Sequence, residues 1–178
     1  RGRYLVTDAR KKSSGVIADG AIAVAAGKVT EAGKYEDLKA RYPEARVLGN
    51  GKQLLMPGLI DAHSHGRGLS PIQKGVATDF LENVLFDWAW MPVLPPELTS
   101  GMCALRHIRS GCTTLHHNSF DDEGAAGRER AHAGMRTYLE SGIRIVFSPS
   151  IRPKNRLALD DEAFWNTLPP ELQAFAKP

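Results

Sequence analysis

The sequence has few cysteines, no long apolar stretch and little clustering of charge, and each absence limits what the protein can be. It contains only 2 cysteines, both expected as small buried residues, so nothing requires an oxidising compartment. No apolar run approaches the roughly 20 residues of a membrane span, and the N-terminus lacks a signal-peptide pattern. We therefore expect a cytoplasmic protein with no membrane partner.

Charge is spread too evenly to indicate a polyanionic partner. The formal net charge is +3, and the one basic run, Arg10-Lys11-Lys12, fits a solvated hairpin better than a phosphate site. We expect no nucleic-acid partner. With 42% hydrophobic and 24% charged residues, the composition is that of an ordinary globular chain.

Residues 1–56 have the pattern of short strands joined by turns. Gly27-Lys28 and Asn50-Gly51 are placed between β-favouring runs, where each predicts a hairpin. Glu36 to Tyr42 has a brief helical pattern that ends before Pro43. No catalytic constellation occurs here, so structural support is the expected role of this segment.

From Pro57 onward, strands alternate with helices, which is typical of a parallel α/β sheet with crossover helices. Apolar spacing, prolines and glycines predict a strand from Leu59 to the histidines at 63–65, helices over Thr78–Trp90, from Pro95 to Gly111 and over Ala125–Ser141, strands over Cys112–Asn118 and Ile143–Ser148, and a short helix over Asp160–Trp165.

Two histidines separated by one residue end the first of these strands. Side chains alternate between the two faces of a strand, so His63 and His65 should point to the same side. Two neutral imidazoles on one face can bind one divalent metal ion. Most isolated His-x-His pairs are solvated or structural, and the metal reading is favoured here by the preceding Pro57-Gly58 turn and apolar strand.

Strict alternation also places Asp61 on the face of the two histidines. From there its carboxylate could hydrogen-bond to a ligand imidazole and orient it without touching the metal. A carboxylate bonded to nearby backbone at the strand end is an equally weighted alternative.

These residues resemble the signature of the amidohydrolase superfamily. Pro57 to His65 is similar to the family pattern Pro-Gly-hydrophobic-hydrophobic-Asp/Asn-x-His-x-His, and Arg109 to Thr114 is similar to its Arg-x-Gly-Thr-Thr-Thr motif at strand 2. Residues 1–56 resemble the family's N-terminal β-sandwich segment. The resemblance implies a (β/α)8 TIM barrel, of the branch with cytosine, guanine, S-adenosylhomocysteine and triazine aminohydrolases.

Length limits how much of such a barrel this sequence can form. A complete (β/α)8 barrel takes about 250 residues and at least roughly 200. We therefore expect residues 1–56 to be the β-sandwich segment and residues 57–178 to be the first βα units of an incomplete barrel. On this interpretation the chain is an N-terminal portion of an enzyme, inactive by itself.

The resemblance implies a metal-dependent hydrolase acting on carbon–nitrogen bonds other than peptide bonds. The expected reaction is deamination of a small cyclic amidine such as a purine, pyrimidine, nucleoside or triazine. His63 and His65 would hold one divalent ion, zinc or alternatively iron, which lowers the pKa of bound water. The other ligands and the acid/base residue belong to later strands in the family, so no catalytic residue is assignable here. The full-length protein could be a homo-oligomer.

Three further residues are candidates for substrate binding, although a structural or solvent-facing role is the more frequent one for each. His116 and His117 end the second strand; they are adjacent, so one at most shares the interior face, and apolar Leu115 favours His116. Gln73 lies in the first loop, where the resembled deaminases often contribute an amide that reads a base edge. His107 and His132 lie on predicted helices and are expected to be exposed.

Two other functions compete with the deaminase hypothesis. One is a different amidohydrolase that opens a cyclic imide or an imidazolone. The other is a non-catalytic metal-binding scaffold, although two histidines alone make a weak metal site.

Overall fold

A computed structural model describes residues 1–77, 79–87, 91–120, 124–150 and 160–174. The chain divides into two compact units, Arg1–Gly58 and Leu59–Pro178. The predicted helix over Thr78–Trp90 and the last residues of the chain therefore extend partly outside the described residues. The described elements are of mixed α/β class.

The first unit contains two small sheets and one helix. Its elements are β1 (Tyr4–Val6), a 3-10 segment (Ala9–Gly15), β2 (Val16–Ala18), β3 (Gly20–Ala25), β4 (Lys28–Lys34), α1 (Tyr35–Arg41) and β5 (Leu54–Leu55). One sheet has the order β2-β1-β5, and β3 and β4 form the other.

The β3–β4 hairpin is confirmed, with its turn at Ala26 and Gly27. Both residues have positive φ, 50° and 73°, as a two-residue turn of the mirror-image type requires.

The hairpin predicted at Asn50-Gly51 is wrong. β5 instead pairs in parallel with β1. The Asn50 side-chain oxygen accepts a hydrogen bond from the Lys52 N–H at 3.1 Å, and the Leu48 carbonyl accepts one from the chain's N-terminal amine at 2.8 Å. These contacts hold residues 48–52 as a local turn, and no strand precedes it to complete a hairpin.

The second unit is built on a parallel sheet. Its elements are β6 (Leu59–Ser64), a 3-10 turn (Ile72–Lys74), α2 (Leu81–Asp87), α3 (Pro96–Arg109), β7 (Cys112–Asn118), α4 (Gly124–Ser141), β8 (Arg144–Ser148), α5 (Asp161–Thr167) and α6 (Pro170–Gln173). The strand order is β6-β7-β8, and both pairings are parallel. The alternation of strands and helices expected from the sequence is confirmed.

Helices α3 and α4 cover one face of this sheet. The buried cluster beneath them consists of Cys103, Ala104, Leu115, Tyr138 and Ile143. The two helices approach closely at Gly134, where an added Cβ would lie 2.8 Å from the Ser100 hydroxyl. Leu115 has no exposed surface, so its face of β7 is the helix-covered one.

Candidate metal centre

The two histidines of the motif converge at the carboxyl end of β6. Their Nε2 atoms are 3.2 Å apart, and their rings meet edge to face with centroids 4.8 Å apart. Both side chains are solvent-accessible rather than packed in the core. The pair is therefore open for a ligand to reach both nitrogens.

The spacing of the two nitrogens matches that of two ligands of one metal ion. With zinc–nitrogen bonds of about 2.0–2.1 Å and a tetrahedral angle, two ligand nitrogens lie about 3.3–3.4 Å apart. The observed 3.2 Å is close to this value. Within the described ranges, no group of three or more His, Cys, Asp or Glu side chains is placed to hold a metal. The spacing of His63 and His65 thus fits two ligand positions of one metal ion.

A bulge in β6 directs His63 to the face of the sheet opposite the helices. Asp61 pairs in register with Leu115, and Ser64 pairs with His117. The segment of β6 between these two pairs therefore has one residue more than the segment of β7 opposite it. Asp61 and Ser64 consequently share the helix-covered face, and His63 lies on the other one, where its Nε2 meets that of His65 just beyond the strand end.

The prediction that Asp61 shares the histidine face is wrong, because the bulge interrupts strict alternation. One carboxylate oxygen accepts a hydrogen bond from the backbone N–H of His63 at 3.1 Å, and the other lies 2.9 Å from Nε2 of His107. The hydrogen bond with His107 lowers the pKa of Asp61 below its ordinary value, with the His63 N–H contributing. Asp61 therefore acts on the backbone of His63 and not on a ligand imidazole.

His107 is partly buried, contrary to the expectation that it is exposed. Only 16% of its side chain is accessible, and its Nε2 is directed at the Asp61 carboxylate. Its Nδ1 lies 2.8 Å from the Cys103 carbonyl oxygen, one helical turn earlier. The ring thereby links α3 to the strand end that carries His63.

Cys103, His107 and Asp61 have the composition of a nucleophilic triad but not its chemistry. The Cys103 sulfur is 3.4 Å from Nδ1 of His107, but that nitrogen is already directed at the Cys103 carbonyl. The thiol is almost fully buried, and this burial raises its pKa. A buried thiol that resists ionisation is a poor nucleophile, so the array is structural.

Asn118, at the end of β7, contacts both histidines. Its backbone oxygen lies 3.0 Å from Nδ1 of His65, and its side-chain Nδ2 lies 3.4 Å from Nδ1 of His63. A carbonyl can only accept, so Nδ1 of His65 carries the proton and the neutral ring presents a lone pair at Nε2. That is the tautomer a metal ligand needs here.

His116 and His117 lie on opposite faces of β7. His116 shares the face of Asn118, and its Nε2 is 2.7 Å from the Ser148 hydroxyl. His117 faces the helices, edge to face with Tyr138 and Phe147. An added Cβ at Gly66, whose φ is +62°, would lie 2.1 Å from the His117 ring, so only glycine fits there.

Gln73 is held inside the first loop. Its side-chain oxygen accepts hydrogen bonds from the Ser70 N–H at 3.0 Å and from the Arg106 guanidinium at 3.4 Å. These contacts occupy the amide oxygen. A substrate contact by Gln73 stays a prediction.

A cavity of about 230 Å³ lies beside the pair of histidines, His63 and His65, in the second unit. His65 forms part of its wall and stacks on Phe120, with centroids 4.4 Å apart. His117 and Phe147 also line it, whereas His63 does not. Of His63 and His65, therefore, only His65 is in contact with this cavity.

Sequence reasoning did not single out Asn118 or His107 for roles at this site. Even spacing along β7 does put Asn118 on the face of His116, which is a signal for the first. Nothing in the sequence of α3 distinguishes His107 from an exposed helical histidine.

Among the described residues, no helix is long and apolar enough to cross a membrane.

Comparison with known proteins places these features in one family. A family profile described as "Imidazolonepropionase-like composite domain, bacteria" matches residues 20–45. A 5-methylthioadenosine/S-adenosylhomocysteine deaminase from Nitratidesulfovibrio vulgaris (strain DSM 19637 / Miyazaki F) is 40% identical over 145 residues, covering 76% of this chain and 31% of the relative. Another from Thermodesulfovibrio yellowstonii is 28% identical over 152 residues, covering 80% of this chain and 34% of the relative. The chain thus spans about a third of the length of these relatives.

Solved structures show the same fold. A mutant of an atrazine chlorohydrolase from Arthrobacter aurescens TC1, complexed with zinc and atraton, superposes with a TM-score of 0.58 at 20% identity, over 88% of this chain and 36% of that one. A triazine hydrolase from Arthobacter aurescens gives 0.57 at 19% identity, over 99% of this chain and 38% of that one. From its motif, its fold and its relatives, the chain belongs to the amidohydrolase superfamily and corresponds to the N-terminal portion of such a protein.

Proposed function

We propose that this chain contributes the first two metal ligands, His63 and His65, of a metal-dependent hydrolase that acts on non-peptide carbon–nitrogen bonds. The observation that carries the proposal is the 3.2 Å separation of the two Nε2 atoms at a parallel strand end. The metal would be zinc, with iron as the alternative, and a structural relative is complexed with zinc. Bound there, a divalent ion lowers the pKa of a water molecule toward neutrality.

The chain's own residues would present and orient the ligand nitrogens. The Asn118 carbonyl fixes the tautomer of His65, and the Asp61 carboxylate holds the backbone of His63. Ligating histidines commonly have a partner at the second ring nitrogen, as His65 has in the Asn118 carbonyl, and losing one typically weakens metal binding about 10–100-fold.

The proposed architecture is an incomplete (β/α)8 barrel over residues 57–178, preceded by a β-sandwich segment over residues 1–56. Three parallel strands in sequential order, with α3 and α4 on one face, support the barrel. The histidines lie at the carboxyl end of the first strand, the end at which barrel enzymes carry their active sites. The two small sheets of the first unit are compatible with the sandwich.

Deamination of a cyclic amidine is the reaction that the relatives favour. The deaminases among them act on 5-methylthioadenosine or S-adenosylhomocysteine by name, and the structural relatives are triazine hydrolases. We propose a small heterocyclic substrate of this kind. His116 shares the sheet face of His63, whereas His117 lines the cavity beside His65, and we keep both, with Gln73, as candidate substrate contacts.

Ring opening of an imidazolone is the second candidate, and a specific finding favours it. Besides the family profile over residues 20–45, an imidazolonepropionase from Pyrobaculum arsenaticum is 38% identical over 50 residues, covering 28% of this chain and 13% of the relative. The match is short and the deaminases match over a longer stretch, which ranks this activity second.

An assay of the full-length, metal-loaded protein separates the candidates. Deamination releases ammonia from an exocyclic amine, whereas hydrolysis of a cyclic amide opens the ring and releases none. We expect ammonia from a panel of adenine nucleosides, guanine, cytosine and aminotriazines, and loss of that activity in His63→Ala. Ring opening of imidazolones without ammonia release would establish the second candidate instead. Activity that is unchanged in His63→Ala would refute both.

A further inference from the structure

Asn118 is the one described residue that hydrogen-bonds to both proposed metal ligands, His63 and His65. It reaches them from a neighbouring strand, with its backbone oxygen at His65 and its side chain at His63. Its side chain is partly buried at the end of β7. A substitution here changes the surroundings of His63 without changing either proposed ligand.

In the observed arrangement, the two imidazoles form a closed ring of hydrogen bonds with Asn118, which takes part through its side-chain amide and its backbone carbonyl. The Asn118 amide N–H donates to Nδ1 of His63, so the proton of a neutral His63 ring is on Nε2. The Nε2–H of His63 donates across 3.2 Å to Nε2 of His65. The Nδ1–H of His65 in turn donates to the backbone carbonyl of Asn118. Each donor has one acceptor, which explains why the two Nε2 atoms approach without repulsion of their lone pairs.

A metal ion bound between the two Nε2 atoms is incompatible with this ring. Both nitrogens would need free lone pairs, so the His63 proton must move to Nδ1. Nδ1–H would then face the Asn118 amide nitrogen, which cannot accept it. Rotation of the amide by half a turn presents the oxygen instead, and asparagine can do this because its side chain has both a donor and an acceptor end.

We propose that Asn118 is a positioning residue for both ligands, and that its amide reverses to accept the Nδ1 proton of His63 when a divalent metal binds. The proposal rests on the metal site proposed above. It assigns Asn118 two roles. One is a fixed backbone contact that selects the tautomer of His65, and the other is a side-chain contact that switches with occupancy of the site.

Three variants of the full-length protein test the acceptor role. Asn118→Leu keeps the approximate volume and removes the side-chain hydrogen bond to His63, while the backbone carbonyl stays at His65. We expect zinc affinity, measured by competition with a chromophoric chelator, to fall about 10–100-fold. Asn118→Asp keeps an acceptor at the same place and should bind zinc at least as tightly as the wild type. Thr114→Ala, on the same face of β7 four residues earlier, is the matched control and should bind as the wild type does.

The result that overturns the proposal is zinc affinity of Asn118→Leu within about threefold of the wild type, a smaller loss than removing a ligand's hydrogen-bond partner causes. A loss in Asn118→Asp as large as in Asn118→Leu would overturn the acceptor role. Because His63→Ala is measured in parallel, the site itself is tested separately. If His63→Ala binds zinc normally, the proposed metal site is wrong. If it loses zinc and Asn118→Leu does not, only the present inference is wrong.

A second measurement needs no variant that might fold poorly. Nitrogen-15 NMR of histidine-labelled wild-type protein distinguishes the two ring nitrogens by their proton couplings. Without metal, we expect His63 protonated at Nε2 and His65 at Nδ1; with zinc, both should be protonated at Nδ1. An unchanged His63 tautomer on zinc binding would contradict the amide reversal.

Discussion

At the residue scale, the groups around the strand end form two hydrogen-bond systems on opposite faces of one sheet. His63 and Asn118 lie on the face away from the helices and meet His65 at the strand end, and Asp61, His107 and Cys103 form a chain on the helix-covered face. The two meet only at the backbone N–H of His63, which Asp61 holds. The bulge in β6 creates this division, because it places Asp61 and His63 on different sides.

Cys103 makes a residue-scale prediction about alkaline pH. Burial raises the pKa of its thiol above the ordinary value of 9.0. A group whose pKa is raised by folding contributes stability that is complete below its unfolded pKa and is lost as pH rises toward its folded pKa. In denaturant titrations between pH 7 and 11, the stability difference between wild type and Cys103→Ala should shrink above about pH 9, by at most about 1.4 kcal/mol per pH unit.

The matched control is Cys112→Ala, which removes a less buried thiol from the first position of β7. Parallel curves for wild type and Cys103→Ala across the whole alkaline range would show that the buried thiol has no such role.

At the element scale, α3 contacts β6 through polar side chains and β7 through the apolar core. The ion pair among these contacts is that of His107 and Asp61, with accessible side-chain fractions of 16% and 33%. Removing one partner of a largely enclosed, charge-assisted hydrogen bond costs about 1–3 kcal/mol, because the other partner is left without it. We therefore predict that His107→Ala lowers the free energy of unfolding by about 1–2 kcal/mol, measured by urea denaturation.

His107→Gln keeps a donor near Asp61 and should recover part of that loss. The matched control is His132→Ala, an exposed histidine on α4, which should be close to neutral. Equal stabilities of His107→Ala and His132→Ala would mean that the pair with Asp61 does not secure α3.

The apolar core at Leu115 makes the second element-scale prediction. Leu115 is fully buried beneath α3 and α4, whereas Leu139 on α4 is 70% exposed. Leu115→Ala should lower the free energy of unfolding by about 2–5 kcal/mol, since it removes apolar contacts and leaves a cavity. Leu139→Ala should change it by less than about 0.5 kcal/mol. A loss in Leu115→Ala no larger than in Leu139→Ala would contradict this assignment of the core.

The elements show what could be predicted from the sequence and what could not. Periodicity and the glycine and proline positions predicted the parallel strands and helices α3 and α4 within a few residues, because those signals are local. The Asn50-Gly51 hairpin failed because β5 pairs with β1, a contact distant in the sequence. Asp61 was misplaced because alternation cannot reveal a bulge, and His107 because its partner lies 46 residues away.

At the scale of the whole molecule, α3 and α4 cover one face of the sheet of the second unit, and the other face carries exposed apolar side chains among the described residues. Ile60 on β6 is 70% exposed and Val146 on β8 is 56% exposed, and both lie on that other face. β8 is also an edge strand among the described residues. Exposed apolar side chains and an unpaired edge favour association with other chains.

We therefore predict that the isolated 178-residue chain associates rather than remaining a stable monomer. Size-exclusion chromatography with light scattering should show concentration-dependent oligomers, and heating should give a broad or irreversible transition. A monomer with a sharp, reversible thermal transition would contradict this prediction.

The central claim is that His63 and His65 bind one divalent metal ion, and metal analysis of the full-length protein tests it most directly. Elemental analysis after dialysis should find a divalent metal ion, with zinc first in expectation, in the wild type and in the exposed-histidine control His132→Ala. The His63→Ala and His65→Ala variants, shown by circular dichroism to be folded, should each lose most of that metal. Metal content unchanged in both variants would show that His63 and His65 do not bind it.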